Sequence, residues 1–193
     1  DGTLADRHKM KVNAPASAAT DLGDLKLPAN LSPLYFIKLQ LFDAAGKLIS
    51  DNFYWRGLAG HKNDLQALQT LPVVKLDAAV KRHAADGKCL LNVTLHNSTG
   101  HIALIAHLQL RREKSGERVL PVYYSDNYIS LTPNESKTVT IEAAAADLKG
   151  DKPLVVVDGW NIDVAPVSSA KCDVQLNQNA QVTNWPVTGL PIK

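Results

Sequence analysis

The sequence has 193 residues, 45% of them hydrophobic and 21% charged, with a formal net charge of +2. Such a chain can bury the core of one large or two small domains, and it lacks the basic surplus that nucleic-acid binders carry. No apolar run of about 18 residues occurs, so no membrane-spanning helix is expected. The first residue is Asp1 rather than Met, which reads as a chain from which a leader was removed or as a piece of a longer polypeptide.

In chain order, residues 1–28 are polar-rich, with a short strand expected where Met10 and Val12 flank Lys11. Gly23 and the prolines interrupt every helical pattern there. Residues 34–56 read as one β-hairpin. Tyr35, Ile37, Leu39 and Leu41 share one face, Phe36, Lys38 and Gln40 the other, and Gly46 closes the loop. A lone hairpin is marginal in water. Residues 1–56 therefore read as the last part of a β-sandwich whose first strands are missing from this chain. Residues 57–72 form a linker with a helical turn or two near Asp64 to Gln69.

From Val73 turn signals recur every 8–12 residues, with about seven strands up to residue 165. Asp86-Gly87 marks a hairpin. Cys89, Leu91, Val93 and Leu95 alternate with Leu90, Asn92, Thr94 and His96, and Ile102, Leu104, Ala106, Leu108 and Leu110 form the longest apolar face. Residues 119–124 read as a strand, followed by the turn Ser125-Asp126-Asn127. After Ile129 and Leu131 comes a second turn at Pro133-Asn134, and then Val139, Ile141 and Ala143 point inward. Residues 144–150 read as a loop or helical turn, and 154–157 as a central strand. The fold class is therefore all-β: an immunoglobulin-like antiparallel β-sandwich over 73–165, preceded by the closing strands of an incomplete sandwich. Residues 166–193 read as a polar tail, either stapled by Cys172, packed by Trp185 or mobile.

Little in the sequence carries chemistry. The six histidines form no ligand-type pair, and no metal is expected; an exposed strand face accounts better for the cluster from His96 to His107. Asp126, Glu135, Asp158 and Asp163 are carboxylates without a catalytic pattern around them, and no nucleotide or cofactor motif appears. Cys89 and Cys172 fit either two separate thiols or a disulfide. A bridge would close about 80 residues, contribute about 4 kcal/mol, and need an oxidising compartment. Asn-X-Ser/Thr triplets at Asn30, Asn92, Asn97 and Asn134 permit a secreted or periplasmic reading. Core packing is the default for the aromatics, with a sugar-stacking platform as the competing role.

Three stretches together resemble one family. Ser50-Asp51-Asn52-Phe53-Tyr54-Trp55 is similar to the closing strand of the fourth domain of glycoside hydrolase family 2 enzymes of the exo-β-glucosaminidase and β-mannosidase branch. Residues 119–128 (VLPVYYSDNY), with Leu131, Pro133, Glu135 and Ser136, resemble the C-terminal immunoglobulin-like domain of that branch, and Gly159-Trp160-Asn161 its last strand. Asn134 stands where the family usually has Gly, and it tolerates the same left-handed turn. The resemblance implies a non-catalytic portion that braces a (β/α)₈ barrel carried elsewhere. The parent reaction would be retaining hydrolysis of a β-mannoside or β-glucosaminide. It implies as partner the catalytic remainder of the enzyme, on the same or a separate chain, and sugar only indirectly, with no nucleic acid and no membrane. Trp55, Asp126, Asn127 and Tyr128 are the substrate-rim candidates. A free-standing carbohydrate-binding or cell-surface module is the alternative.

Overall fold

The computed structural model describes residues 2–60, 65–85 and 87–167. Residues 2–33 contain no helix or strand, and Met10 is 61% exposed; the strand expected around Lys11 does not form. That stretch has two apolar side chains and no neighbouring strand to pair with, too little to offset backbone ordering.

Strands β1 (Leu34–Phe42) and β2 (Leu48–Gly57) form the expected antiparallel hairpin, in register Leu34↔Gly57 to Leu41↔Ser50, as a two-stranded sheet of their own. Gly46, at φ +81°, closes its loop. Asp43 Oδ1 accepts from the N–H groups of Ala45 and Lys47. A 3₁₀ helix, Gln66–Thr70, occupies the linker where a helical turn was expected.

The remaining strands build a sandwich of two four-stranded sheets. The first has β3 (Asp77–Ala85), β4 (Lys88–His96), β8 (Ser136–Ala144) and β6 (Tyr123–Tyr124) in the order β3-β4-β8-β6. The second runs β10-β9-β5-β7, from β5 (Ala103–Arg112), β7 (Ile129–Leu131), β9 (Pro153–Asp158) and β10 (Ala165–Val167). All strand pairs within these sheets are antiparallel. The alternation read from the sequence sets their inner faces. Leu91, Val93, Leu95, Val139 and Ile141 meet Ala106, Leu108, Leu110, Leu131, Val155 and Val157 in one core. Each fully buried aliphatic side chain there stabilises by about 1.5–3 kcal/mol.

Three features depart from expectation. In β5, Ile105 adopts φ +57°, a genuine outlier for a β-branched residue, and the register to β7 shifts between Ala103 and Ala106. This bulge moves Leu104 out of the phase of Ala106, Leu108 and Leu110. Leu104 instead packs, fully buried, with Leu34 and Leu68 in a second cluster that Phe36, Phe53, Leu71 and Ile105 complete. The stretch 119–124 yields only the two-residue β6, and the Leu120-Pro121 bond before it is cis. And the sandwich runs past residue 165: Pro166 and Val167 pair with Val156 and Val155. Pro166 is tolerated because β10 is an edge strand.

Candidate functional site: the junction of hairpin and sandwich

The hairpin has two unlike faces. One face packs on the sandwich through Leu34, Phe36 and Phe53, the two rings stacked at 5.4 Å. Beyond this apolar patch the same face turns ionic. Lys38 binds Glu135 and lies 3.9 Å from Asp51. Asp51 reaches Lys137 at 3.1 Å, and Lys137 reaches Asp126 at 2.7 Å. Five charges thus run in one alternating chain from β1 and β2 to the turn before β8 and the loop after β6. All but Asp126 are between 14% and 22% exposed, so solvent screens the chain only partly. Burial alone would depress the Lys137 ammonium and is the largest single effect. The hydrogen bonds that Lys137 donates to Asp126 and Asp51, with the charges of those carboxylates, outweigh it and hold its pKa above the ordinary lysine value. Glu135 also fixes its own turn, its Oε2 accepting from the N–H and the hydroxyl of Thr132.

The Gly159-Trp160-Asn161 stretch ties down Leu68 and Pro72. Asn161 is 6% exposed; its Oδ1 accepts from Leu104 N–H, and its Nδ2 donates to the carbonyls of Pro72 and Ile102. Trp160 Nε1–H donates to Leu68 O at 2.7 Å. Gly159 is required by space: a Cβ there would stand 2.6 Å from Ile162 Cδ1 and 2.8 Å from Ile105 O.

The candidate rim residues divide. Asn127 serves the backbone, with Oδ1 accepting from Leu108 N–H and Nδ2 donating to Leu108 O. Asp126 is paired with Lys137. Trp55 lies opposite Phe36 in the hairpin register and is 41% exposed. Tyr128 is 62% exposed, adopts φ +55°, and stacks on His107 with centroids 4.5 Å apart and planes 5° off parallel. The carboxylates considered for catalysis are likewise occupied or isolated: Glu135 is bound by Lys38, Asp158 takes His107 and Gln109, and Asp163 is exposed. His96 and His107 lie on different sheets and bond Ser136 and Asp158 respectively. Among the described residues no group of three or more His, Cys, Asp or Glu is placed to hold a metal ion. Cys89 is buried in β4, where burial raises its thiol pKa against the opposing Arg82; the bridge to Cys172 lies outside the described residues.

Sequence reasoning missed Lys38, Asp51 and Lys137. Each sits on an alternating strand as an ordinary polar position, and only the packing of hairpin on sandwich brings them together. The arrangement can hold two β units at a fixed angle; it offers no nucleophile with an adjacent base.

These features define an immunoglobulin-like accessory β-sandwich with a β-hairpin docked against it. The chain belongs to the family of exo-β-D-glucosaminidase Ig-fold domains, whose model matches residues 52–162. It is 34% identical over 170 residues to the exo-β-D-glucosaminidase of Streptomyces avermitilis, covering 76% of this chain and 18% of that protein. The Amycolatopsis orientalis exo-β-D-glucosaminidase is 33% identical over 151 residues, 69% of this chain and 15% of that one. The crystal structure of the A. orientalis exo-chitosanase CsxA superposes with a TM-score of 0.66 at 33% identity, over 74% of this chain and 19% of that chain. The chain thus spans less than a fifth of the length of these relatives.

Proposed function

We propose that this chain is the non-catalytic C-terminal portion of a family 2 glycoside hydrolase of exo-β-D-glucosaminidase type, bracing a barrel that carries the catalytic residues elsewhere. In this reading residues 1–56 end the enzyme's fourth domain, 57–72 link, and 73–167 form its fifth domain. The observation that carries it is the hairpin's outer face. Ile37 pairs with Tyr54 there, and Leu39 and Leu41 follow at 50% and 42% exposure, an apolar strip with no strand laid over it among the described residues. Such a strip, with Asn52 and Ser50 opposite Leu39 and Leu41, suits strands that the remainder of a longer enzyme would supply. The glucosaminidase relatives, at 33–34% identity, support that substrate over the mannoside read beside it; the mannosylglycoprotein endo-β-mannosidase of Lilium longiflorum is 24% identical.

Trp55 and Tyr128 are the rim candidates left exposed to meet a sugar chain. A secreted or periplasmic enzyme acting on an external polysaccharide fits this role, and no helix among the described residues is long and apolar enough to cross a membrane. The test is capture of the native protein with an antibody to this chain, followed by an assay with a chromogenic β-D-glucosaminide and by denaturing mass measurement. Co-captured hydrolysis, with a chain longer than 193 residues or a second chain, is expected. A lone chain of 20.9 kDa without activity would leave the free-standing module instead.

A further inference from the structure

Tyr128 is the least explained side chain of the described surface. Its ring is 62% exposed although its backbone holds the left-handed φ of +55°, which bulky residues avoid. Its inner face is seated flat on His107, 4.5 Å away. His107 is fixed in turn: Nδ1–H donates to Asp158 Oδ1 at 2.8 Å, and Asp158 Oδ2 accepts from Gln109 Nε2 at 2.7 Å. Gln109 is 6% exposed and anchors the series in β5, where its Oε1 takes Arg111 and Arg118. A ring seated this way turns its outer face to solvent as a level apolar plate.

We propose that Tyr128, backed by His107 and Asp158, is a stacking platform for a pyranose ring of a β-linked polysaccharide. The apolar C–H face of a sugar lies on an aromatic plate. Because the ring is already stacked on His107, binding adds a second face to an ordered pair. The plate holds polymer. The ligand class rests on the glycosidase reading above, but the two fail separately, since one is read by hydrolysis and the other by retention.

The test is affinity electrophoresis of the full 193-residue chain in gels containing glycol chitosan, hydroxyethylcellulose, or no polymer. The wild-type chain is expected to be retarded by one polymer or both; the first alone marks an amino contribution, both a requirement for the pyranose face only. Tyr128→Ala should bind about tenfold more weakly. Tyr128→Phe, which keeps the ring, should bind as wild type, and so should Tyr123→Ala, which removes a tyrosine 70% exposed but stacked on no ring among the described residues. A circular-dichroism melt establishes that each variant is folded. Absence of retardation in both polymers, or equal retardation of a folded Tyr128→Ala, overturns the proposal.

Discussion

Asn127 grips both ends of one residue. Its side-chain oxygen accepts from the N–H of Leu108 at 2.8 Å, and its side-chain nitrogen donates to the carbonyl of Leu108 at 3.0 Å. A single amide thus stands in for a missing strand along the free side of β5. Tyr124 continues the seam, its hydroxyl accepting from Leu110 N–H at 3.0 Å, and Ser130 Oγ accepts from Ile105 N–H. The loop through residues 124–130 zips an edge that backbone pairing with the short β7 leaves open.

Removing that amide should be costly. Asn127→Ala leaves a buried N–H and a buried carbonyl without partners, and about 2–4 kcal/mol of folding free energy is expected to go. Urea unfolding monitored by tryptophan fluorescence reads this as a lower midpoint. An unchanged midpoint would mean that water replaces the side chain.

Gly159 gives a steric prediction. Gly159→Ala drives a methyl group into Ile162 and the Ile105 carbonyl, and about 1–3 kcal/mol of destabilisation follows. Gly100→Ala, with no atom within 4 Å of its new Cβ, is the matched control and should stay close to wild type. Equal melting temperatures for the two variants would contradict the packing described around Ile162.

The ion chain responds to alkali through Lys137. Its pKa is raised in the folded state, so its contribution to stability is complete below the ordinary lysine value of 10.5 and declines as the pH rises through the higher folded value. Lys137→Met should cost about 1 kcal/mol at neutral pH. The gap between variant and wild type should then stay level up to about pH 10 and narrow above it. Melting curves across that range test the sign: a gap that widens with alkali would reverse it.

Cys89 should be slow to react. Burial raises its thiol pKa, so little thiolate exists at neutral pH, and Cys89 itself is 1% exposed. Under reducing conditions, iodoacetamide should modify it at a rate set by unfolding, and readily once urea is added; peptide mass mapping follows the site. Fast labelling of the native chain would show that β4 opens locally.

Periodicity carried much of the fold. The alternations at Cys89 to Leu95 and at Val139 to Ala143 place the core because each side chain there obeys a plain two-residue period. The hairpin between Leu34 and Gly57 was legible for the same reason. Leu104 was not, because one left-handed residue, Ile105, shifts the phase of β5, and nothing in a β-branched residue announces that conformation. Asn127 was legible as a turn former but not as a backbone tie, since its partner lies 19 residues earlier. Lys38, Asp51 and Lys137 were invisible for a stronger version of this reason. Their meaning arises from contacts across as many as 97 residues, and local pattern holds no record of them.

Asn97 has a practical consequence for making this protein. Asn97-Ser98-Thr99 spells an N-glycan acceptor, yet the residue is 0% exposed. Its Nδ2, the atom to which the sugar would be joined, donates to the carbonyls of His101 and Leu131, while Thr99 closes back on its Oδ1. An oligosaccharyltransferase meets the nascent chain before this turn closes, and a chain so modified cannot close it. A yeast or mammalian secretory host would therefore sort its product into folded chains left unmodified at Asn97 and misfolded ones glycosylated there, whereas a bacterial host without that enzyme makes no such division.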